Sequence, residues 1–146
     1  MKHKFLALGL AGLFMASCSS DDDNSNNVNM SLLTTKKWYY VSDRVNGETI
    51  PYDDHETCGK DYVEFTTTGT VSHVDVWNCN GNTPETETIP GTYNVTSKNI
   101  VINMAGFTLG ANVKRLTSET LVLESQYDYD EDGTPETVTQ TYTSQP

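Results

Sequence analysis

Between residues 91 and 123 the chain alternates apolar and polar residues in short runs that Ser, Asn, Gly or Thr interrupt. The run N-I-V-I-N-M places Ile100 and Ile102 on one face, and T-L-V-L does the same for Leu121 and Leu123. A two-residue period is typical of half-buried β-strands, and short gaps between such runs favour hairpins. The stretch therefore predicts an antiparallel meander with one face to bury.

The pattern extends in both directions and predicts eight strands in sequence order. A single helical turn with Ser31 as its cap is expected before them, and the pair Asn46-Gly47 after the first strand is typical of a tight turn. Polar loops are expected after this turn and from Asn78 to Pro84, and we leave open whether Gly110 interrupts the sixth strand. The predicted strands are 38–45, 62–65, 71–77, 86–95, 100–104, 107–116, 121–127 and 137–143.

Eight strands joined by short gaps predict an all-β fold, a small up-and-down barrel with a short N-terminal helical turn. A chain of 146 residues has room for one such domain. The interior of an eight-stranded barrel is either filled by side chains or holds one small ligand. Both alternatives remain open from the sequence.

The N-terminal residues predict export and a lipid anchor. Residues 1–17 combine a basic start with an apolar run, Phe5 to Met15, that is too short to span a bilayer and is typical of a signal peptide. The run ends in Met15-Ala16-Ser17-Cys18, which resembles a bacterial lipobox and would make Cys18 the lipidated N-terminus of the mature protein. The alternative is an ordinary cleavage site beside a chance cysteine.

Residues 18–30 predict a flexible tether, because they are polar and lack hydrophobic periodicity. The tether includes Asp21 to Asp23, which resembles the acidic export tag of surface lipoproteins in some Gram-negative bacteria. We therefore expect an outer-membrane protein displayed at the cell surface, with a periplasm-facing anchor as the second choice. The domain itself is expected at residues 31–146.

The net charge argues against nucleic acid as a partner. Without residues 1–17 the chain has seven Lys and Arg against twenty Asp and Glu, and such an excess repels phosphate backbones. The sequence also contains no G-x-S-x-G, no H-E-x-x-H and no Gly-rich phosphate loop. We therefore do not expect an enzyme.

Several short motifs together resemble the lipocalin-like domain of bacterial surface lipoproteins. They span about residues 31 to 143, and their order and spacing carry the resemblance. The motifs are Leu33 with Trp38, Tyr62-Val63-Glu64-Phe65 with Gly69-Thr70, Gly91-Thr92-Tyr93, Ile100-Val101-Ile102, and the segment from Leu116 to Leu123. The resemblance implies a small eight-stranded barrel.

These observations predict a lipid-anchored surface protein that binds a small hydrophobic or amphipathic ligand in its barrel. The alternative is a solid barrel that acts as an accessory or interaction module for another surface protein or a glycan. The candidate lining residues are aromatic or aliphatic, and they would form the packed core of a solid barrel: Trp38, Tyr40, Phe65, Val74, Tyr93, Ile102, Leu121 and Leu123. His73 is expected to point outward or to lie at the rim.

Cys58 and Cys79 are the two cysteines that the predicted lipid anchor leaves over. In an exported protein they are expected to form a disulfide, which would contribute roughly 3 kcal/mol through loop entropy. The alternative is a pair of metal-binding or redox thiols, although the chain has no C-x-x-C motif.

The segment from Asp128 to Glu136 resembles the start of a calcium-binding loop. Asp128, Asp130 and Asp132 alternate and are followed by Gly133, and Glu136 stands at the ninth position. The twelfth position is Thr139 instead of Glu, so the segment is not an EF-hand. Calcium is therefore a candidate cofactor, and the alternative is an acidic hairpin tip.

Overall fold

The computed structural model describes residues 26–146, so the predicted signal peptide and Cys18 lie outside the described residues. Within residues 26–146 one short helix precedes nine strands. The elements are α1 Met30–Thr34, β1 Lys37–Val45, β2 Glu48–Pro51, β3 Tyr62–Phe65, β4 Thr70–Asn80, β5 Thr83–Thr96, β6 Asn99–Met104, β7 Phe107–Leu116, β8 Thr120–Tyr127 and β9 Glu136–Thr143. In this part of the chain no helix has both the length and the apolar character that crossing a membrane requires.

The strands form one antiparallel sheet that closes on itself. Each strand from β3 to β9 pairs with the next, and β1 pairs with β9 to complete the ring. β2 and β3 share one position beside β1: β3 pairs with residues 37–39 and β2 with residues 42–45. The ring therefore has eight positions, which confirms the predicted all-β, eight-stranded up-and-down barrel.

The strand β2 was not predicted, since the sequence indicated a polar loop at this place. Asn46 and Gly47 adopt positive φ values of 52° and 87°, as a two-residue hairpin turn requires. That turn folds the chain directly back, so that Glu48 pairs with Val45. All four residues of β2 are exposed, which explains why its sequence lacks the apolar alternation of the other strands.

Two strands, β4 and β5, extend well beyond their predicted limits. β4 continues to Asn80 and β5 begins at Thr83, so the expected loop from 78 to 84 is a tight turn instead. β7 runs through Gly110, which pairs with Val101 of β6. The irregularity of this strand lies between Val113 and Arg115, where its register to β8 shifts.

The helix α1 closes one end of the barrel. Its N-cap is Asn29, whose side chain accepts hydrogen bonds from the backbone N–H groups of Ser31 and Leu32. The expectation that Ser31 is the cap was therefore wrong. Leu33 and Trp38 are fully buried, and Trp38 Nε1 donates a 2.9 Å hydrogen bond to the carbonyl of Leu33. This bond fixes the helix on the floor of the barrel.

Because consecutive strands are antiparallel, their connections alternate between the two ends of the barrel. The closed end carries α1 and the turns at 66–69, 97–98 and 117–119. The open end carries the turns at 46–47, 81–82 and 105–106 and the loop at 128–135. The backbone N–H of Val28 donates a 3.0 Å hydrogen bond to Ser97 O, so the described chain enters the barrel at its closed end.

Candidate functional site

The barrel encloses a cavity of about 390 Å³. This volume lies within the range of small-molecule binding sites, about 300–1,000 Å³. Most lining side chains are apolar, and the polar ones are a histidine, a glutamine and two tyrosines. The lining residues are Tyr40, Val63, Phe65, Val71, His73, Ile89, Ile102, Met104, Ala105, Phe107, Leu109, Leu121, Leu123, Gln140 and Tyr142.

Strand alternation positions these side chains. On the β3–β4 pair, Val63 lies opposite His73 and Phe65 lies opposite Val71. Directly opposed residues of antiparallel strands point to the same face, so all four side chains enter the cavity together. The β8–β9 pair contributes two further couples, Leu121 with Tyr142 and Leu123 with Gln140.

The cavity extends to the β6–β7 turn at the open end. Met104, Ala105 and Phe107, which flank or form this turn, belong to its lining. The side chain of Phe107 is 78% exposed, although large apolar side chains usually bury most of their surface. An exposed phenyl ring beside a largely apolar cavity marks the place where the interior meets solvent.

Five predicted lining residues border the cavity: Tyr40, Phe65, Ile102, Leu121 and Leu123. Trp38 is instead buried in the floor against α1. Tyr93 is also buried outside the lining, where its ring packs edge-on against Phe65 and its hydroxyl donates a 2.6 Å hydrogen bond to Thr66 O.

Val74 requires a correction, together with its neighbour His73. Val74 pairs with Tyr62, one position out of step with the Val63–His73 pair, so it points to the opposite face of β4. His73, expected to point outward or to lie at the rim, lines the cavity. The signal for this was present in the sequence, because counting by two from Val71 leads to His73 and not to Val74.

Polar side chains border one side of the cavity. Tyr40 packs against Tyr142 at 4.8 Å between ring centroids and against His73 at 5.5 Å. Tyr142 donates a 3.2 Å hydrogen bond from its hydroxyl to Gln140 Oε1. Gln140 and Tyr142 were not predicted as lining residues, although counting by two along β9 places both on one face.

On the side of the cavity that Tyr40 and Tyr142 border, burial makes ionised side chains unfavourable. Burial raises the pKa of Tyr40 above its ordinary value. Burial also raises the pKa of Tyr142 and the pKa of the neighbouring Asp43, where a hydrogen bond from Gln140 acts in the opposite direction. Groups that are costly to ionise are suited to holding a molecule that is neutral where it meets them.

The segment 52–61 supports the wall beside β4. The carboxylate of the fully buried Asp61 accepts hydrogen bonds from Val76 N, at 2.7 Å, and from the hydroxyl of Tyr52. His55 Nδ1 accepts from Asp61 N at 3.1 Å, while its Nε2 donates to Tyr40 O at 2.8 Å. The segment therefore satisfies backbone groups of β1 and β4 on the side where their pairing with β3 has ended.

A disulfide between Cys58 and Cys79 fastens the same segment to the end of β4, with 5.9 Å between the two Cα atoms. This confirms the predicted bridge and removes the alternative of a free thiol pair. Loop closure across a separation of 21 residues is worth roughly 3 kcal/mol of stability.

The four acidic residues of the predicted calcium site come together at the open end. Asp128, Asp130, Asp132 and Glu136 each offer an oxygen, and these oxygens all lie within 4.8 Å of one another. Several of the carboxylates also accept backbone hydrogen bonds: Asp128 Oδ2 from Gly133 N at 2.9 Å, and Glu136 Oε2 from Tyr129 N at 2.8 Å. These bonds also suit an acidic hairpin tip, so calcium binding stays a prediction from the sequence.

Comparisons with known proteins agree with this geometry. A family model described as a lipocalin-like domain matches residues 34–123, more than half of the chain. The chain is similar to the crystal structure of a lipocalin-like protein from Bacteroides uniformis, with a TM-score of 0.53, 14% identity, and coverage of 77% of this chain and 97% of the other.

Two bovine structures are also similar. The lipocalin allergen Bos d 2 matches with a TM-score of 0.48 and 13% identity, covering 80% of this chain and 75% of the other. A deswapped triple mutant of the bovine odorant-binding protein matches with a TM-score of 0.44 and 14% identity, covering 77% and 73%. No curated protein matches the chain. On the family match and the closed barrel, the chain belongs to the lipocalin-like domain family.

Proposed function

We propose that this protein binds a small hydrophobic or amphipathic molecule inside its barrel, without catalysis, while a lipid on Cys18 holds it at the outer membrane. The observation that carries the binding proposal is the cavity of about 390 Å³ and its largely apolar lining. Burying the apolar surface of a ligand there is favourable by about 25 cal/mol per Å². Lipocalin-like folds are associated with small-ligand binding, which supports the same proposal.

The cavity also favours one of the two functions that the sequence left open. A barrel acting only through its outer surface needs no interior space, and empty space weakens a core because the lining atoms lose contacts. A cavity of this size within the barrel therefore favours a ligand carrier over a solid interaction module.

The anchor and the location rest on the sequence alone. Residues 1–18 have the features of a lipoprotein signal and lipidation site, and Asp21 to Asp23 resemble a surface-export tag. A display site at the cell surface is our first choice, and a periplasm-facing site is the second. A surface protein partner is compatible with either.

The binding proposal is tested with the fluorescent apolar probe N-phenyl-1-naphthylamine. We expect saturable binding to the wild-type protein, with fluorescence enhancement and a stoichiometry near one. Leu109→Trp is expected to weaken this binding at least tenfold, because Leu109 lines the cavity and a larger ring there occupies the space that the probe needs.

Thr108→Trp is the matched control, since Thr108 is exposed and adjacent on the same strand. It should bind the probe as the wild type does, and both variants should unfold at similar urea concentrations. Absence of probe binding to the wild type, or an equal loss in both variants, would contradict a cavity site.

A further inference from the structure

A row of cross-strand partners follows the inner wall of the barrel from its floor to its rim. Directly opposed residues of antiparallel strands share one face of the sheet, so the members of this row all face inward. All of them except the glycine line the cavity. The members of this apolar row, in order from β3 to β7, are Phe65, Val71, Gly91, Met104 and Phe107.

The two ends of the apolar row differ in exposure. Phe65 stands before the closed-end turn at 66–69 and is 1% exposed, whereas Phe107 follows the open-end turn at 105–106 and is 78% exposed. Because β3 and β7 are four positions apart in the ring of eight, the row winds halfway round the barrel as it climbs. A molecule that fills the interior from floor to rim therefore meets the row at both ends.

The sheet itself places the Phe107 ring at the rim. Ala105 and Gly106 form a two-residue turn with φ values of 50° and 85°, and the ladder resumes at once with the pair of Met104 and Phe107. Phenylalanine is among the residue types that are most often buried. Its exposure here therefore belongs to a paired strand end and not to a long loop.

The surroundings of the ring favour the occupant of the cavity over a protein partner. Met104, the cross-strand partner of Phe107, packs against the core, so the ring stands on the inner face of the turn. The outer face beside it is polar, because the exposed Thr108 donates a 2.7 Å hydrogen bond from its hydroxyl to Asn103 Oδ1. The exposed apolar surface is thus continuous with the cavity and not with an apolar outer patch.

We propose that Phe107 is a specificity-determining residue of the cavity, and that the ligand is an elongated aliphatic molecule whose outer end covers the Phe107 ring. The inference rests on the proposed binding function and narrows the ligand class. A compact molecule fills the deep part of the cavity, where apolar atoms surround it, and leaves the ring in water. A longer chain also covers the ring, so its additional methylene groups each continue to raise the affinity by about fourfold.

The test compares four alcohols with a terminal hydroxyl group: hexanol, octanol, decanol and dodecanol. Their affinities are measured by displacement of N-phenyl-1-naphthylamine, and chain length is the property that varies. We expect Phe107→Ala to weaken the binding of dodecanol about tenfold, as the loss of one to two methylene contacts implies. The same variant should change the binding of hexanol less than twofold, because hexanol does not reach the ring.

Two control variants separate the rim from the deep cavity and from the outer surface. Leu109→Ala alters the next inward position of β7, opposite Ile102, and it should weaken all four alcohols by similar factors. Trp77→Ala removes another exposed aromatic ring of the open end, one that lies outside the cavity lining, and it should change none of the affinities. Phe107→Ala and Trp77→Ala should unfold at the urea concentration of the wild type, since both rings are exposed.

Fluorescence of Phe107→Trp in a Trp77→Phe background reports on the rim directly. Trp38 is fully buried, so a ligand-dependent change in emission arises from the indole at position 107. We expect dodecanol to shift this emission to shorter wavelength and to reduce its quenching by acrylamide, and hexanol to do neither. Emission that dodecanol leaves unchanged overturns the proposal.

The remaining outcomes distinguish this inference from the function beneath it. Equal weakening of all four alcohols by Phe107→Ala overturns the selection for length and leaves the cavity site standing. Unchanged affinities together with an altered sedimentation coefficient would make the ring a contact between copies of the chain, and this also overturns the proposal. A wild-type protein that binds neither the naphthylamine probe nor any alcohol overturns both the inference and the proposed function.

Discussion

At the scale of single residues, one glycine sets the spacing between two strands of the wall. A methyl group built on Gly91 would lie 2.5 Å from the carbonyl oxygen of Asn103 and 3.1 Å from Met104 Cβ. The first contact is with backbone, so it cannot be relieved by rotating a side chain. Gly91 therefore permits β5 and β6 to approach each other at Met104, the last residue of β6.

Gly91→Ala is expected to destabilise the protein by about 2 kcal/mol, in the range of overpacked sites. Gly110→Ala is its control, because a methyl group there has no atom within 4 Å. The control should change the free energy of unfolding by less than about 0.5 kcal/mol. Urea unfolding of both variants provides the measurement, and equal effects would show that the close approach of β6 does not matter.

The residues also show how far the sequence predicts the site. Aliphatic and aromatic lining positions such as Phe65 and Leu121 followed from strand alternation, because each apolar run has a single buried face. Trp38 and Tyr93 were buried as an apolar pattern predicts, but the pattern does not distinguish the floor of a barrel from its cavity. That distinction depends on which end the helix closes, which only the folded chain defines.

At the scale of elements, the loop between β8 and β9 is the place to test calcium. Four carboxylates whose oxygens lie within 4.8 Å of one another repel each other, and a divalent cation would relieve that repulsion. If the site binds calcium with a dissociation constant of about 1 mM, 10 mM CaCl₂ should raise the melting temperature by about 5 °C.

Asp130→Ala should abolish this rise, whereas Glu131→Ala should retain it, because Glu131 is exposed and stands outside the cluster. Measurements in MgCl₂ at equal ionic strength control for screening. No calcium-dependent shift in the wild-type protein would leave the loop as an acidic turn. Differential scanning calorimetry of the three proteins decides between these results.

Element boundaries were predicted best where burial alternates and worst where it does not. β3 matches its predicted residues, since Val63 and Phe65 are buried and their neighbours are not. β2 and the first half of β5 are largely exposed, so their pairing depends on tight turns and on the adjacent strand. Turn geometry and partner strands are not visible in the hydrophobic pattern of one segment.

At the scale of the whole molecule, buried tyrosine hydroxyls make the stability of the barrel depend on pH in the alkaline range. Burial raises the pKa of Tyr40, Tyr52 and Tyr142, and it raises the pKa of Tyr127 to about 12. The native state therefore retains protons that the unfolded chain releases near pH 10. Their contribution to stability is complete below pH 10 and is lost as the pH rises through the native pKa values.

We therefore expect the free energy of unfolding, measured by urea titration, to fall steeply above pH 10, by up to about 1.4 kcal/mol per pH unit for each fully shielded phenol such as Tyr142. Absorbance at 295 nm should show these tyrosines ionising together with loss of the fold, whereas the chain in guanidinium should titrate smoothly. Tyr40→Phe should reduce the slope. Gradual ionisation of the native protein near pH 10, with its structure intact, would contradict this coupling.

The described chain enters the barrel at its closed end, and this position would determine how a lipid-anchored molecule is oriented at the membrane. If Cys18 carries lipid, the nine residues between it and Val28 reach at most about 30 Å, and they join the barrel on the side that α1 seals. The closed end of the barrel would then face the bilayer, and the open end, with Phe107 and the loop at 128–135, would face the medium. A ligand of the barrel would then be exchanged with the medium or with a neighbouring protein, and not directly with the bilayer.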